Sequence, residues 1–461
     1  MTVFKNGTLI TMDPRRRIIT EGAIAVQGDR IAAIGKATEV QARFPHDQQV
    51  DLQGNVVLPG LVDTHVHLAQ AMIRGCADDL SLIDWLSKRV WVLQGNYDED
   101  DGRTSAELCI LEMLKSGTTA FVESMIAGRY GFDGIAEVVV RSGIRAALSK
   151  VVMDIPTYAT QTDIMYPGMK EDPEISMRQA LEAHDKWQGA ADGRIQVWFG
   201  PRPPGGCTPE LYRRVARHAA ERGMSVTIHL AEVQADVEYI RREYGMSPTE
   251  YMESVGLLGP NVLLIHAVWM DADDIARLAR TGTHVTHNPL SNTKLASGIA
   301  PVPEMLAAGV NVSIGCDGGP SNNAYDMVRD LRWASYLHKV RALDPTIMPA
   351  ETVLEMATIN GAKAMGLADQ IGSLEVGKKA DFVVIAMNKP HLTPSPNPVS
   401  TIVCAATGQD VDTVVIDGKI IVQGGRVLTM DEERILAEAR ERAEKLYRRA
   451  GIEIRPRWPV M

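Results

Sequence analysis

The 461-residue sequence has few cysteines and no excess of basic charge, and each shortage argues against a class of protein. The cysteines are odd in number and never spaced as Cys-x-x-Cys, which argues against a disulfide framework or a zinc knuckle. A net charge of -10 argues against the clustered basic face that binds nucleic acid. We therefore expect a reducing, cytoplasmic compartment and no nucleic-acid partner.

Long hydrophobic runs are also missing. None approaches the roughly 20 residues that cross a bilayer, and residues 1–13 alternate apolar and polar side chains rather than forming a secretory signal. No membrane partner is expected. What is present is an ordinary globular composition, 45% hydrophobic and 23% charged. At this length we expect one large catalytic domain and a smaller companion.

Both ends of the chain carry short β-rich segments separated by turn dipeptides. The segments are residues 2–9, 23–26, 30–34, 49–52, 380–385, 411–416 and 420–422. Two such ends around a different middle predict a small β-sandwich assembled from both termini. The predicted boundaries are 1–57 and 371–430 for the sandwich, 58–370 for the catalytic unit, and 431–461 for a solvated C-terminal helix and tail.

The middle of the chain alternates apolar strand-like runs with amphipathic helical stretches. The predicted strands are residues 60–64, 119–122, 146–151, 195–199, 225–229, 262–266, 284–286 and 310–315. Near-continuous apolar strands between helices are typical of a parallel sheet, and eight such units favour an α/β fold of the (β/α)8 TIM-barrel type. A doubly wound sheet is the alternative.

Four of these strands end in a histidine or an aspartate. His65 and His67 follow the first strand, and alternate residues of an extended segment point the same way. His229, His266 and Asp317 end the fifth, sixth and eighth strands. Each motif alone is weak evidence for a functional site. In barrel enzymes, however, the catalytic residues lie at the carboxyl ends of the strands. Together the motifs predict a site that binds a metal or transfers protons.

Other polar and aromatic residues lie just beyond strand ends. Arg74 and Trp85 follow the first strand and Asn292 the seventh, so we expect them to contact substrate, with Trp85 offering a flat stacking surface. His284 and His287 are expected to be structural or to line the pocket. His338 falls in a predicted helix and is expected to be solvated.

The sequence resembles the amidohydrolase superfamily, and within it the cytosine deaminase-like branch of methylthioadenosine/S-adenosylhomocysteine deaminases, guanine deaminases and triazine hydrolases. The resemblance runs nearly end to end. The segments that carry it are 58–67, 74–75, 85–86, 229–232, 291–302, 317–323 and 372–381.

The resemblance implies a role for each strand-end residue. One divalent metal would be bound by His65, His67, His229 and Asp317, with Zn2+ expected and Fe2+ or Mn2+ as alternatives. Glu232 would shuttle a proton, Asp317 would take the second one, and His266 would donate a hydrogen bond near the attacking water. Binuclear members carry a bridging lysine on the fourth strand; residues 195–199 contain none, which favours one ion.

The implied function is hydrolytic deamination of a small nitrogen heterocycle such as a purine, pterin or triazine. Arg202 stands where nucleoside deaminases of this branch usually have histidine, which argues against an adenosine-like ring and favours one with a carbonyl or anionic group. Displacement of chloride or alkylamine from an s-triazine, cyclic amide hydrolysis and a catalytically silent scaffold stay open. Analogy with such barrels predicts a homo-oligomer.

Overall fold

The computed structural model describes residues 1–158, 164–455 and 457–459. Its strands form two sheets of nine strands each. In chain order the strands are β1 (Thr2–Ile10), β2 (Ile18–Gln27), β3 (Arg30–Lys36), β4 (Gln48–Asp51), β5 (Val56–Pro59), β6 (Leu61–His67), β7 (Thr118–Ile126), β8 (Arg145–Val152), β9 (Ile195–Pro201), β10 (Val226–Leu230), β11 (Val262–His266), β12 (His284–His287), β13 (Val312–Ile314), β14 (Asp317–Gly318), β15 (Phe382–Ile385), β16 (Val411–Ile416), β17 (Lys419–Gln423) and β18 (Arg426–Val427).

Helices connect these strands and cover the parallel sheet. Among the described residues, the α-helices of six residues or more are Ala37–Arg43, Glu99–Lys115, Phe132–Ser142, Pro173–Trp187, Pro209–Arg222, Gln234–Tyr244, Pro248–Ser254, Ala272–Thr281, Pro289–Lys294, Val302–Ala307, Met327–Ala342, Ala350–Met356, Ile359–Ala364, Pro398–Cys404 and Glu432–Ala450. Four further helical segments follow β6: the 3-10 helix Leu68–Ile73 and the short helices Leu82–Trp85, Leu86–Val90 and Trp91–Gln94.

The parallel sheet is a barrel. Its strands pair in chain order from β6 to β13, and β14 pairs with β6 through Asp317 opposite Val66. Because only Gly315 and Cys316 separate β13 from β14, the row of strands returns to its start. All eight predicted barrel strands are present, and the α/β class with a TIM-like barrel is confirmed. The doubly wound alternative is wrong, since sequential neighbours pair throughout.

The second sheet takes strands from both ends of the chain. Its order is β18-β17-β16-β15-β5-β1-β2-β3, with β4 beside β1, and the two ends meet where β5 pairs antiparallel with β15. The sequence analysis missed β5, which carries this sheet to Pro59, beyond the predicted boundary at residue 57. Only Gly60 separates β5 from β6. The two strands therefore form one continuous apolar run in the sequence, which does not show where this sheet ends and the barrel begins. A separate sandwich domain stays a prediction.

Gly60 shows why that passage needs glycine. A Cβ atom at this position would lie 2.0 Å from Thr119 Oγ1, closer than any non-bonded contact allows. The chain therefore crosses from one sheet to the other at a point of close backbone approach.

The C-terminal helix, Glu432–Ala450, is less solvated than expected. Its Ile435 and Leu446 are fully buried, and Arg442 pairs with Asp101 at 3.3 Å. One face of the helix thus packs on the barrel. In the described part of the chain, no helix is both long enough and apolar enough to cross a membrane.

A buried ion pair joins the two sheets. Arg145, at the start of β8, is 2% exposed and donates to Asp381 at 3.0 Å and to Asp417 at 2.8 Å. Asp381 precedes β15, and Asp417 lies in the turn between β16 and β17. Removing one partner of such a pair leaves the other charge buried and uncompensated.

Arg145→Met is therefore expected to lower the free energy of unfolding by about 3–5 kcal/mol, because Asp381 loses its counter-charge. Urea unfolding of the metal-loaded protein, followed by circular dichroism, measures the change. Arg141→Met is the matched control: the Arg141 side chain is 53% exposed and pairs with Glu107 at 3.3 Å, so its loss is expected to cost less than about 1 kcal/mol. Equal losses in the two variants would contradict the role assigned to Arg145.

Candidate active site

The carboxyl ends of the barrel strands bring four histidines together. The ring centroid of His65 lies 4.8 Å from that of His67, 4.9 Å from that of His229 and 5.5 Å from that of His266. All four rings are buried. Residues that lie far apart in the sequence therefore converge at the carboxyl ends of the barrel strands, as the sequence predicted.

Asp317 completes this cluster. Its Oδ1 lies 3.3 Å from His65 Nε2 and 3.4 Å from His67 Nε2, while its Oδ2 accepts a 2.5 Å hydrogen bond from Ser291 Oγ. Burial opposes its charged form, yet the neighbouring imidazoles hold the pKa of Asp317 well below its usual range. The cluster therefore contains a carboxylate rather than a neutral acid.

The backbone is strained where it presents two of these side chains. His266 and Asp317 both have a φ of +70°, in the left-handed region that non-glycine residues seldom occupy. His266 ends β11 and Asp317 begins β14, so the surrounding sheet holds each residue in this conformation. Strain of this kind clusters at functional sites.

The residues present fit a divalent cation. The ligand atoms of His65, His67 and His229 lie within 4.8 Å of one another, and so do those of His65, His266 and Asp317. Among the described residues, neither ring nitrogen of His65 has a hydrogen-bond partner, nor does Nδ1 of His229. Unpartnered buried nitrogens are costly, and a cation among them would take up their lone pairs.

The electrostatics of the rings also suit metal binding. Burial, helped by the neighbouring His65, lowers the pKa of His67 to about 3, and burial lowers that of His229 as well. Both imidazoles are therefore neutral near pH 7, the form that binds metals. Ser124 Oγ lies 3.2 Å from His67 Nδ1, which holds the ring with Nε2 toward Asp317.

Glu232 lies beside the cluster in the loop after β10. Its Oε2 is 3.6 Å from His266 Nε2, and its Oε1 accepts a hydrogen bond from Ser297 Oγ at 3.3 Å. Burial, reinforced by the charge of Asp317, raises the pKa of Glu232 well above its usual value. Glu232 therefore holds a proton more readily than an ordinary carboxyl group, whereas Asp317 is ionised.

A cavity opens above the cluster, and two of the four expected substrate contacts line it. These two are Trp85 and Arg202. The Trp85 indole is fixed by a 3.3 Å hydrogen bond from Nε1 to the Pro320 carbonyl. Asn292 instead lies behind the site, with Oδ1 2.9 Å from His266 Nδ1, so it acts by holding that ring.

Arg74, which was also expected to contact substrate, is not among the described residues that line the cavity. The helical turn Leu68–Ile73 directs this side chain away from the cavity, where it pairs with Glu112 and lies 5.9 Å over the ring of Tyr325. Position just beyond a barrel strand was therefore not enough to place a side chain in the cavity.

Most of the cavity wall was not predicted. Its remaining described residues come from several separate segments and include Gln70, Leu82, Leu86, Trp91, Gln94, Met125, Tyr130, Thr157, Tyr158, Met165, Met169, Pro203 and Leu295. Of these, Leu86 and Leu295 lie in segments that carry the family resemblance.

His338 was also misjudged. It is fully buried rather than solvated, and its Nε2 lies 3.3 Å from Nε2 of His287. Helix Met327–Ala342 packs against the barrel through this face, a contact that the helix's own sequence does not reveal.

Comparison with known proteins identifies the family. The sequence model of the amidohydrolase family matches residues 56–421. The chain belongs to the amidohydrolase family. The predicted membership is confirmed, and with it the expected class of enzyme, a hydrolase. A second model, that of a bacterial imidazolonepropionase-like composite domain, matches residues 22–46.

Relatives are similar over nearly their whole length. The amidohydrolase is 41% identical to a 5'-deoxyadenosine deaminase of Methanosarcina acetivorans, over 97% of this chain and 99% of the relative. It is 43% identical to a 5-methylthioadenosine/S-adenosylhomocysteine deaminase of Desulforudis audaxviator, over 92% and 95%. Among solved structures, a zinc-bound adenosine deaminase of Xanthomonas campestris superposes with a TM-score of 0.91 at 30% identity, over 97% and 98% of the two chains.

Proposed function

We propose that this amidohydrolase is a metal-dependent aminohydrolase that removes the amino group of a purine-type ring. The observation that carries the proposal is the convergence of His65, His67, His229 and Asp317 beneath a cavity, with Glu232 beside them. The names of the similar deaminases support the same reaction. The net change is addition of water and loss of ammonia, so that a ring C–NH2 becomes C=O.

We infer that one divalent ion is held by the three histidines and Asp317. The fourth barrel strand, β9, has no lysine to bridge two ions, which supports a single one. Zinc is the proposed ion, with Fe2+ or Mn2+ as alternatives, and the zinc bound by the similar adenosine deaminase supports this choice. When bound, such an ion supplies the Lewis acidity that makes water a nucleophile near pH 7.

Glu232 is proposed as the proton shuttle. It accepts a proton from the attacking water and passes it to a ring nitrogen, which disrupts the aromaticity of the ring and opens the amino-bearing carbon to attack. Its raised pKa suits this task, because a carboxyl group that holds a proton more readily than usual carries it between the two transfers.

Asp317 and His266 are proposed to complete the reaction. Asp317, already ionised, accepts the second proton of the water and delivers it to the departing amine, so that ammonia leaves as the C–N bond breaks. His266, held by Asn292, faces the oxygen on which charge develops. Trp85 offers a fixed flat wall against which the ring stacks.

A panel of rings tests the function. Metal-loaded enzyme is expected to release ammonia from at least one purine-type ring, with metal content measured in the same preparation. The panel contains purines, pterins, pyrimidines and triazines. If the metal-loaded enzyme instead releases only chloride or alkylamine from triazines, deamination is overturned in favour of displacement.

A further inference from the structure

The barrel closes through a short seam beside the proposed metal centre, where β14 pairs with β6. Strand β14 has only two residues, and the pairing sets Asp317 opposite Val66 and Gly318 opposite His67. Each side of the closing seam therefore carries a proposed metal ligand, His67 on β6 and Asp317 on β14. A pairing this short supplies few hydrogen bonds, so the spacing of the two ligands depends on contacts beyond the strands.

The side chain of Tyr325 makes such a contact. Its hydroxyl group donates a hydrogen bond to the His67 carbonyl at 2.8 Å and accepts one from the Gly319 N–H at 2.8 Å. One oxygen atom thus joins the last residue of β6 to the first residue after β14, as a further backbone hydrogen bond between the strands would. Tyr325 is fully buried, so loss of the hydroxyl would leave a buried carbonyl and a buried N–H without this partner.

Backbone strain makes the closing seam sensitive to that bond. Asp317 has a φ of +70°, and a residue stays in this region only where the surrounding chain fixes it. Before Asp317, the Cys316 N–H donates to Asp63 Oδ1 at 3.0 Å. After Asp317, the Gly319 N–H donates to the Tyr325 hydroxyl. The strained ligand is therefore held on both sides, and Tyr325 supplies the contact on the second side.

Tyr325 is itself held by the helix Glu99–Lys115. Its backbone N–H donates to Glu112 Oε1 at 3.0 Å, and its carbonyl accepts from Ser116 Oγ, just after that helix, at 2.9 Å. Arg74 pairs with Glu112 and lies 5.9 Å over the Tyr325 ring. The phenol is therefore positioned by the barrel scaffold, and Arg74 contributes to its support.

We propose that Tyr325 is a positioning residue of the metal centre, whose hydroxyl holds the end of β6 and the start of the following loop at the spacing that one divalent ion requires between His67 and Asp317. The inference rests on the proposed metal centre. Tyr325 is not among the described residues that line the cavity, so it acts through the backbone of the ligand-bearing segments. Removal of partners that orient metal ligands lowers metal affinity by about 10–100-fold.

Tyr325→Phe tests the proposal, because it removes one oxygen atom and keeps the ring. The variant is expected to fold and to bind zinc with a dissociation constant raised by about 10–100-fold, since the two ligands are no longer held at a fixed spacing. Competition between the zinc-loaded protein and a chromophoric chelator measures the constant. Urea unfolding of the same preparation measures the stability.

Tyr212→Phe is the matched control. Tyr212 is also fully buried, and its hydroxyl donates to a carbonyl directly after another barrel strand, that of Arg202, at 2.7 Å. The control loses the same kind of hydrogen bond but contacts no proposed metal ligand, so its zinc affinity is expected to stay at the wild-type value. Wild-type zinc affinity in Tyr325→Phe would overturn the proposal. An equal loss of affinity in both variants would also overturn it, because the effect would then be one of general stability.

A second variant decides the matter if Tyr325→Phe fails to fold. Glu112→Ala removes the acceptor of the Tyr325 N–H, and the Glu112 side chain is 27% exposed, so the fold is expected to tolerate the change. Its zinc affinity is expected to fall in the same direction. Unchanged affinity in this variant would contradict the proposal.

A wild type that binds no zinc would refute the proposed metal centre separately. Hydrogen–deuterium exchange of the peptide that contains Gly319 then still tests the contact made by Tyr325. Exchange is expected to be faster in Tyr325→Phe than in Tyr212→Phe, because only the first variant frees the Gly319 N–H. Equal exchange in the two variants would show that Tyr325 does not hold the closing seam.

Discussion

Glu232→Gln is expected to lower kcat for deamination by about 10²–10⁴-fold, the usual contribution of a positioned acid–base group, while bound metal stays at the wild-type level. The amide keeps the size of the side chain and still accepts from Ser297 Oγ through its oxygen. It is unable to take a proton from water and return it to the ring. Ammonia release at saturating substrate, with elemental analysis of the same sample, measures both quantities.

The matched control is Glu238→Gln. Glu238 lies on the following helix, Gln234–Tyr244, where it is exposed and outside the cavity. The control is expected to turn over at the wild-type rate. Near-normal turnover of Glu232→Gln would refute the shuttle role, and loss of metal in that variant would show that Glu232 acts as a ligand instead.

Removal of the metal is expected to abolish measurable ammonia release, and added Zn2+ is expected to restore it. The reason is that the chain's own groups supply a shuttle and a carboxylate but nothing that activates water at neutral pH. Exhaustive chelation followed by dialysis gives the apoprotein, and far-UV circular dichroism checks that it stays folded. A protein that is fully active after chelation, with no metal detected, would contradict the proposed centre.

A pair of histidine variants locates the metal. His229→Asn is expected to lose bound metal, because His229 is buried in the cluster with its Nδ1 unpartnered among the described residues. His218→Asn is the control: that ring pairs with Glu221 at 3.3 Å on helix Pro209–Arg222, and its loss is expected to leave metal content unchanged. Equal metal content in both variants would remove His229 from the site.

The barrel was predictable because each buried parallel strand has a recognisable local sequence, a short apolar run. Strand β11, Val262–His266, is buried at every position, so its sequence is an apolar run that a solvated strand would not have. Its final histidine was equally visible, since the carboxyl ends of such strands converge in this fold. Strand β5 was missed because its apolar run continues into β6 with only one glycine between them.

The side-chain environments were not predictable in the same way. Arg74 and Arg202 both follow barrel strands, yet one pairs with Glu112 outside the cavity and the other lines it. His338 appears in the sequence as an ordinary helical residue, but the barrel buries it against His287. In each case the deciding neighbour lies on another segment, which local periodicity does not identify.

The sequence alone determined the eight barrel strands, the family and the residues that end four of those strands, because these depend on patterns within a few residues. Only the tertiary structure decided which side chains meet: Asp317 with His65, Asn292 with His266, and Arg202 with the cavity but no carboxylate of the described residues. Those contacts arise when the barrel closes and brings distant segments within hydrogen-bonding distance.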